Sequence, residues 1–316
     1  MGALRYGMPP LDGKRFVLVT GKGGVGKTTL CAAQAVALAA RGKRVLVAMC
    51  NAKERLSTML GVPPIGSDVV AVKDNVWAVN MLPEKAIEEY GRLVLRSRLL
   101  SKTLFDNKYL RTFLRAVPGM QEWSMLGKAW WHTTETLPDG RYKYDAVILD
   151  APATGHGLDM LRVPMVILET VPAGILRRDA ERALTLFRDP QACAIVLVTL
   201  PEEMPVTETI ELSRALGEMR MPVGHVFVNG VLPALFTADE GMRLEAIDAL
   251  GGVTPVRGGP GDAALAAGRD RATRERLQRE SIVRLGRELR APTSHLPLLF
   301  EDAAKPEPIR ELSRTL

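Results

Sequence analysis

The sequence predicts an α/β protein built on a mostly parallel, doubly wound sheet, with a helical subdomain inserted into it. Three observations carry that prediction. Short apolar runs alternate with helix-period segments along most of the 316 residues, and strands separated by helices argue for parallel pairing. A glycine-rich turn, Gly21 to Gly26, joins the first apolar run to the first helix pattern. Residues 84–137 break the alternation and carry helical spacing without a clear strand.

The elements follow in order. Residues 15–20 read as the first strand and 44–50 as the second, with Val76 to Val79 a short third. Residues 144–150 form an apolar strand that ends in a carboxylate, Asp150. Residues 192–199 and 223–229 are two further strands, and 296–300 a late one. Helix patterns span 27–40, 53–60, 156–169, 172–188, 205–219, 240–249, 268–289 and 307–314. Residues 251–267 are rich in Gly and Pro and read as a loop.

The rhythm divides the chain into a core, residues 1–83 and 138–316, and an insertion, residues 84–137. In the insertion Ile87, Tyr90, Leu93, Val94, Leu99, Leu100, Leu104 and Phe105 recur at roughly helical spacing, and Met120, Trp123, Met125, Leu126, Trp130 and Trp131 follow. Two readings fit: a helical cap with an ordinary core, or a surface for an apolar partner or a membrane, since Met and Trp suit adaptable contacts. Residues 91–115 hold seven basic side chains against Asp106 alone, which suits an acidic protein or anionic headgroups.

Composition narrows the classes. The net charge of +6 is modest and does not indicate nucleic acid. No apolar stretch is long enough to span a bilayer. Met1 to Gly13 reads as a short lead without an apolar signal core, so a cytoplasmic location is expected, with a peripheral place at a membrane open. Cys31, Cys50 and Cys193 are far apart, form no CxxC pair and read as buried free thiols.

The densest signal is Gly21-Lys22-Gly23-Gly24-Val25-Gly26-Lys27-Thr28-Thr29. It follows an apolar run and opens a helix, the context a P-loop requires. Its glycines let the backbone curl and turn N–H groups inward. Those donors, from Gly23, Gly24, Val25, Gly26 and on to Thr29, together with the helix start, suit a polyphosphate. Lys27 would reach the β and γ phosphates, and Thr28 would offer its hydroxyl to Mg²⁺. Lys22 is an additional lysine, either a further charge for phosphate or simply solvated. Asp150, at a carboxyl strand end, would hold the Mg²⁺ water shell. Gly155 could offer its N–H to a γ-phosphate, and His156 is either structural or part of the same loop.

These residues carry a resemblance. The chain resembles the arsenite-pump and guided-entry (tail-anchored protein targeting) ATPase family, within the deviant P-loop ATPases that include the MinD and ParA proteins. GKGGVGKTT matches at 21–29. Asp150-Ala-Pro-Ala-Thr-Gly-His156 is similar to the family's Asp-Thr-Ala-Pro-Thr-Gly-His loop. Thr199-Leu-Pro201-Glu202 with Glu208-Thr209 resembles its Thr-x-Pro-Glu and Glu-Thr segment. Val228-Asn229 to Pro233, Pro118-Gly119 to Glu122, and Pro297 to Phe300 resemble the base-holding segment, the client-handling helices and the strand that closes the base pocket.

The resemblance implies a P-loop NTPase that binds ATP and Mg²⁺ and works as a dimer. Lys22 would cross to the partner's phosphates, Pro201 would contact nucleotide or partner, and Asn229 would bind the adenine edge. The helical part would bind a protein client or a membrane-associated partner. Two departures matter. The first switch should open with an Asp, and this chain has Asn51, which can orient a water but cannot take its proton. Slow or impaired hydrolysis is therefore expected, unless Glu54 supplies a carboxylate after a loop shift. The dimer-bridging zinc of the targeting branch needs a CxxC, so no structural zinc is expected. Three functions compete: a dimeric client-binding ATPase, homomeric or paired with a related ATPase; a non-hydrolysing ATP sensor that regulates an active paralogue; and metalloid efflux, which the cysteine placement disfavours.

Overall fold

The structure is a computed structural model and describes residues 11, 13–95, 119–221, 223–246, 260–299 and 304–316. Eight strands form one sheet in the order β3-β4-β2-β5-β1-β6-β7-β8. They are β1 (Phe16–Gly21), β2 (Val45–Cys50), β3 (Val70–Lys73), β4 (Val76–Met81), β5 (Ala146–Asp150), β6 (Cys193–Thr199), β7 (Val223–Val231) and β8 (Thr293–Pro297). Every pairing is parallel except β3 with β4.

Both faces of the sheet are covered, which is why its central strands read as near-continuous apolar runs rather than alternating, with Thr20, Asp150 and Thr199 near their carboxyl ends. Phe16 and Leu18 of β1 enter one core and Val17 and Val19 the other. The first core is roofed by α4 (Met120–Thr134), α5 (Thr154–Thr170), α6 (Ile175–Arg188) and α7 (Glu203–Glu218). The second lies under α1 (Lys27–Ala40), α2 (Leu56–Leu60) and α10 (Pro306–Arg314). The helices α8 (Ala238–Ala246) and α9 (Pro260–Glu288) pack on each other beside α7. No helix among the described residues is long and apolar enough to cross a membrane.

β1 lies between β5 and β6, so the chain leaves it toward β2 on one side and reaches β6 on the other. Such a reversal opens a crevice outside the carboxyl ends of the strands, the usual ligand position in open α/β sheets.

The helical region between β4 and β5 is present, with α3 (Pro83–Leu95) and α4 described. The basic run from Arg96 to Arg115 lies outside the described residues. Trp123 and Trp130 are buried in the first core with Met125 and Leu126, and Trp131 is half-buried against it. The tryptophans therefore serve as core, and the reading of an apolar surface does not apply to them. Local expectations need correction in three places, the first being the late strand, which runs Thr293–Pro297 rather than 296–300. β3 is an edge strand paired antiparallel to β4, hidden from pattern reading because its four residues are short and largely exposed. The segment expected to be loop through 267 is helical from Pro260, where proline suits the first helical turn and an alanine-rich stretch follows.

The three cysteines are buried and free. Burial pushes their thiols up, Cys193 to about 12.

His225 of β7 is buried beside β8, with Nε2 3.0 Å from Ser294 Oγ and Nδ1 without a hydrogen-bond partner. Burial lowers its pKa from 6.5 to about 4. The unfolded chain takes a proton near pH 6.5 and the folded one resists it until about 4, so stability is full above 6.5 and declines as pH falls through that window. Urea unfolding from pH 7 to pH 4.5 should show a loss on the order of 2 kcal/mol that is absent from the pH slope of His225→Asn. Equal slopes would show that His225 is not the group responsible.

Candidate nucleotide site

The carboxyl edge of the sheet gathers the predicted residues. Val19 of β1 and Met49 of β2 both align with Asp150 of β5, and Gly21 aligns with Val198 of β6. The P-loop, Asn51 and the 150–156 loop therefore leave the sheet at one level.

Gly21 ends β1 at φ +150, and a Cβ there would lie 2.2 Å from the Val198 carbonyl oxygen. Gly26 sits at φ +96, where a Cβ would lie 2.3 Å from Asn229 Nδ2. Only glycine fits either position. Asn229 Nδ2 donates to the Val25 carbonyl at 2.9 Å, fastening β7 to the loop and leaving the rest of its amide for another partner.

Helix α1 begins at Lys27 with no side-chain cap and no acidic residue in its first turn. Its leading N–H groups and the positive end of its dipole receive no capping side chain from the residue before them, an arrangement that favours an anion. Lys27 Nζ donates to the carbonyls of Gly21 at 3.1 Å and Lys22 at 2.9 Å, which centres its charge within the loop. Burial lowers its pKa while Asp150 opposes that shift.

Asp150 is 5% exposed and accepts a 2.6 Å hydrogen bond from the Thr28 hydroxyl. Burial raises its pKa, against the Thr28 hydroxyl, the Lys27 ammonium and a hydrogen bond from the Cys31 thiol. A hydroxyl and a carboxylate held together beside such a loop are oxygen donors that could hold a hard cation such as Mg²⁺. Among the described residues no three His, Cys, Asp or Glu side chains gather around a metal position.

The second loop closes on the first. Ala153 Cβ lies 4.0 Å from the place a Cβ on Gly23 would occupy. Helix α5 starts at Thr154, again without a side-chain cap, so Gly155 and the exposed His156 sit in an open first turn next to the P-loop. Pro201 is buried in the turn from β6 to α7.

Asn51 directly follows β2 and is exposed at φ +45, a left-handed conformation that Asn and Asp tolerate better than other side chains. The next residue is pinned by Asn80 of β4, whose amide accepts from Ala52 N–H at 3.2 Å and donates to its carbonyl at 3.0 Å. Glu54 is already engaged: the Ser57 N–H and hydroxyl donate to its two oxygens at 2.7 and 2.6 Å. It organises the entry of α2 and does not replace a missing aspartate in this structure.

Lys22 pairs with Glu208 of α7 in the same chain at 2.6 Å, with both groups partly exposed. Sequence reading placed Glu208 only in a motif. The contacts of Cys31, Asn80 and Glu208 depend on the sheet order, and nothing in their own neighbourhoods announces them.

A parallel sheet with an uncapped P-loop at its switch point and an acid at the adjoining strand end defines a P-loop ATPase of the deviant class. Comparison with known proteins gives the family: the model of the anion-transporting ATPases matches residues 14–177 and 175–246, and the chain belongs to that family. The ATPase BagA of Mycobacterium tuberculosis is 32% identical over 240 residues, covering 74% of this chain and 70% of that protein. The arsenical pump-driving ATPase of Acidiphilium multivorum is 26% identical over 69% of this chain and 40% of its own length. The ATPase GET3B of Arabidopsis thaliana is 24% identical over 70% of this chain and 65% of its own.

The Gly26 contacts can be tested directly. Gly26→Ala should destabilise the protein by about 2 kcal/mol in urea unfolding through backbone strain and the clash with Asn229. Adding Asn229→Ala should relieve the clash and leave the strain, so the double variant should recover part of the loss. Full additivity would mean that the two residues do not meet.

Proposed function

We infer that this chain is an ATP-binding switch of the anion-transporting ATPase family. Its nucleotide state would govern a partner surface on the 84–137 helices, and its hydrolysis would be slow. The observation that carries the nucleotide part is the uncapped start of α1 with Lys27 centred beside it and Thr28 bonded to Asp150.

In this reading the P-loop N–H groups and Lys27 hold the phosphates of ATP. Thr28 and Asp150 hold Mg²⁺, which would neutralise charge on the phosphate oxygens when bound. Gly155 senses the γ-phosphate at the open turn of α5. The Asn229 amide meets the base, and Pro201 sets the adjoining β6–α7 turn. Asn51 orients the attacking water through its carbonyl oxygen but leaves the proton without a carboxylate to receive it. Positioning and charge dominate phosphoryl transfer, so turnover is slowed rather than abolished.

The coupling has a physical route. The helix that begins at the Gly155 turn, α5, packs on α4 of the insertion. A Cβ at Gly119, where α4 begins, would sit 3.1 Å from Val163 Cγ2 of α5. A shift of the turn on γ-phosphate binding would move a packed helix against the insertion, because tightly packed interiors transmit displacement. The client would be a protein or a membrane-associated partner; a nucleic acid is disfavoured by the modest charge. Asn51 also favours a second reading, a non-hydrolysing sensor that pairs with an active homologue. Arsenite capture is disfavoured because Cys31, Cys50 and Cys193 are all buried.

Single-turnover hydrolysis of radiolabelled ATP with Mg²⁺ separates the readings. Slow turnover in the natural protein is expected, rising at least about tenfold in Asn51→Asp without loss of stability, since Asp also tolerates the left-handed backbone. Lys27→Ala should abolish both. An unchanged rate in Asn51→Asp would sink the role given to Asn51. No turnover in the natural protein despite tight ATP binding would favour the sensor.

A dimer in which Lys22 reaches the partner's phosphates must first release Glu208. Glu208→Gln should therefore lower the ATP concentration needed for self-association in sedimentation velocity. Unchanged association would separate the ion pair from dimer closure.

A further inference from the structure

The segment after Asn229 is gripped by a helix much further along the chain. Gln278 of α9 binds Leu232 in both directions: the Leu232 N–H donates to Oε1 at 3.1 Å, and Nε2 donates to the Leu232 carbonyl at 3.3 Å. Glu275 accepts from the N–H groups of Leu235 at 3.0 Å and Phe236 at 3.5 Å. Arg271 donates to Glu275 at 2.7 Å and also to the Pro233 carbonyl. Residues 271, 275 and 278 are spaced i, i+4, i+7, which places them on one helix face.

This face differs from the rest of α9. Elsewhere the helix carries exposed i,i+4 ion pairs such as Arg276–Glu280 and Arg284–Glu288, which contribute little. Glu275 and Gln278 are only 2% and 8% exposed. Burial alone would push the Glu275 carboxyl up; the Arg271 guanidinium and the two backbone N–H groups outweigh that and hold it below its usual value. Buried polar groups are costly unless bonded, and here the partners are the backbone of one loop together with Arg271 and, at 3.8 Å, Arg279 of the same helix.

That loop has a defined position. Gly230 turns it out of β7 at φ +71, and a Cβ there would be 3.5 Å from Leu200 Cδ2 and 3.9 Å from Leu298 Cδ1. Leu298 N–H donates to the Val231 carbonyl at 2.8 Å. At its far end Thr237 and Glu240 form a capping box that starts α8. The chain from Asn229 to Thr237 is thus fixed at both ends and held in the middle by α9, while Asn229 itself touches the P-loop.

We propose that Arg271, Glu275 and Gln278 are positioning residues for the base of the bound nucleotide: by fixing the 232–236 loop they aim Asn229 and the adjoining backbone at the base edge. The proposal rests on the reading that Asn229 meets the base. The phosphate contacts are made by other elements, so the α9 grip should govern only the base-dependent share of affinity.

Binding of ATP, GTP and inorganic tripolyphosphate, each with Mg²⁺, measures that share in the full-length protein. Gln278→Met, close in volume and unable to hold Leu232, should weaken ATP binding about tenfold and reduce ATP-over-GTP preference, with tripolyphosphate affinity within about twofold of the natural protein. Gln278→Glu keeps an acceptor for the Leu232 N–H and should retain part of the preference. Glu275→Gln should behave like Gln278→Met, and either variant suffices if the other does not fold. Equal loss for ATP and tripolyphosphate, or no loss, overturns the proposal and leaves α9 a structural brace. Asn229→Ala separates the two levels. If it abolishes the ATP-over-tripolyphosphate advantage while Gln278→Met keeps it, only the positioning role falls. If the natural protein binds ATP no tighter than tripolyphosphate, the base reading of Asn229 falls and this proposal with it.

Discussion

Gly21 meets the Val198 carbonyl where any side chain would collide with it, and the rest of the site is arranged around that approach. It lets β1 stay in parallel register with β6 to its last residue and turn out at once. Because β1 lies between β5 and β6, the loop it launches has the acid of β5 on one side and the β6–α7 and β7 elements on the other. A bulkier residue at 21 would push the loop away from β6 and separate Lys22 from Glu208, Lys27 from the loop carbonyls and Val25 from Asn229. The site is thus a consequence of strand order, expressed through one residue without a side chain.

Within that frame the charged groups are held ready rather than satisfied. Asp150 and Lys27 are both shifted toward their neutral forms by burial, and each is drawn back by the other. Thr28 and Cys31 add hydrogen bonds to the carboxylate, and two loop carbonyls receive the ammonium. None of these contacts involves a large, well-matched ion pair. Buried charges in such an arrangement gain little for the fold. Groups held in this way are preorganised for a charged ligand, since oriented dipoles and charges need not reorganise when one binds.

Most of this architecture was legible along the chain. The P-loop glycines, Lys27, Thr28 and the strand-final Asp150 are local in sequence, and their chemistry forces their context. The parallel strands were readable because burial on both faces removes polar residues from them. What escaped detection was non-local or weakly patterned. β3 is short and exposed, so it lacks apolar alternation. The first turns of α9 follow directly on a Gly- and Pro-rich stretch and resemble a loop until Pro260 is seen at a helix start. The tryptophans of α4 look like a contact surface in one dimension and prove to be core in three. Arg271, Glu275 and Gln278 lie in a helix whose other charges are solvated, and only the fold shows that these three face a loop.

Asn51 shows why fold and catalytic competence have to be argued separately. Its backbone is left-handed at the end of β2, braced by the Asn51 N–H donating to the Met81 carbonyl and by Asn80 on the following residue. That geometry favours asparagine, aspartate or glycine and is indifferent between the first two. The sheet, the P-loop and the α5 turn form equally well with either, because nothing in the core touches the side chain. The difference between an amide and a carboxylate there is one of proton-accepting chemistry and not of folding. A chain can therefore keep the fold and the P-loop that place it in its family whichever of the two residues stands at position 51. Glu54 is committed to Ser57, so the geometry of that turn fixes where residue 51 lies and leaves its chemistry to be argued from the side chain alone.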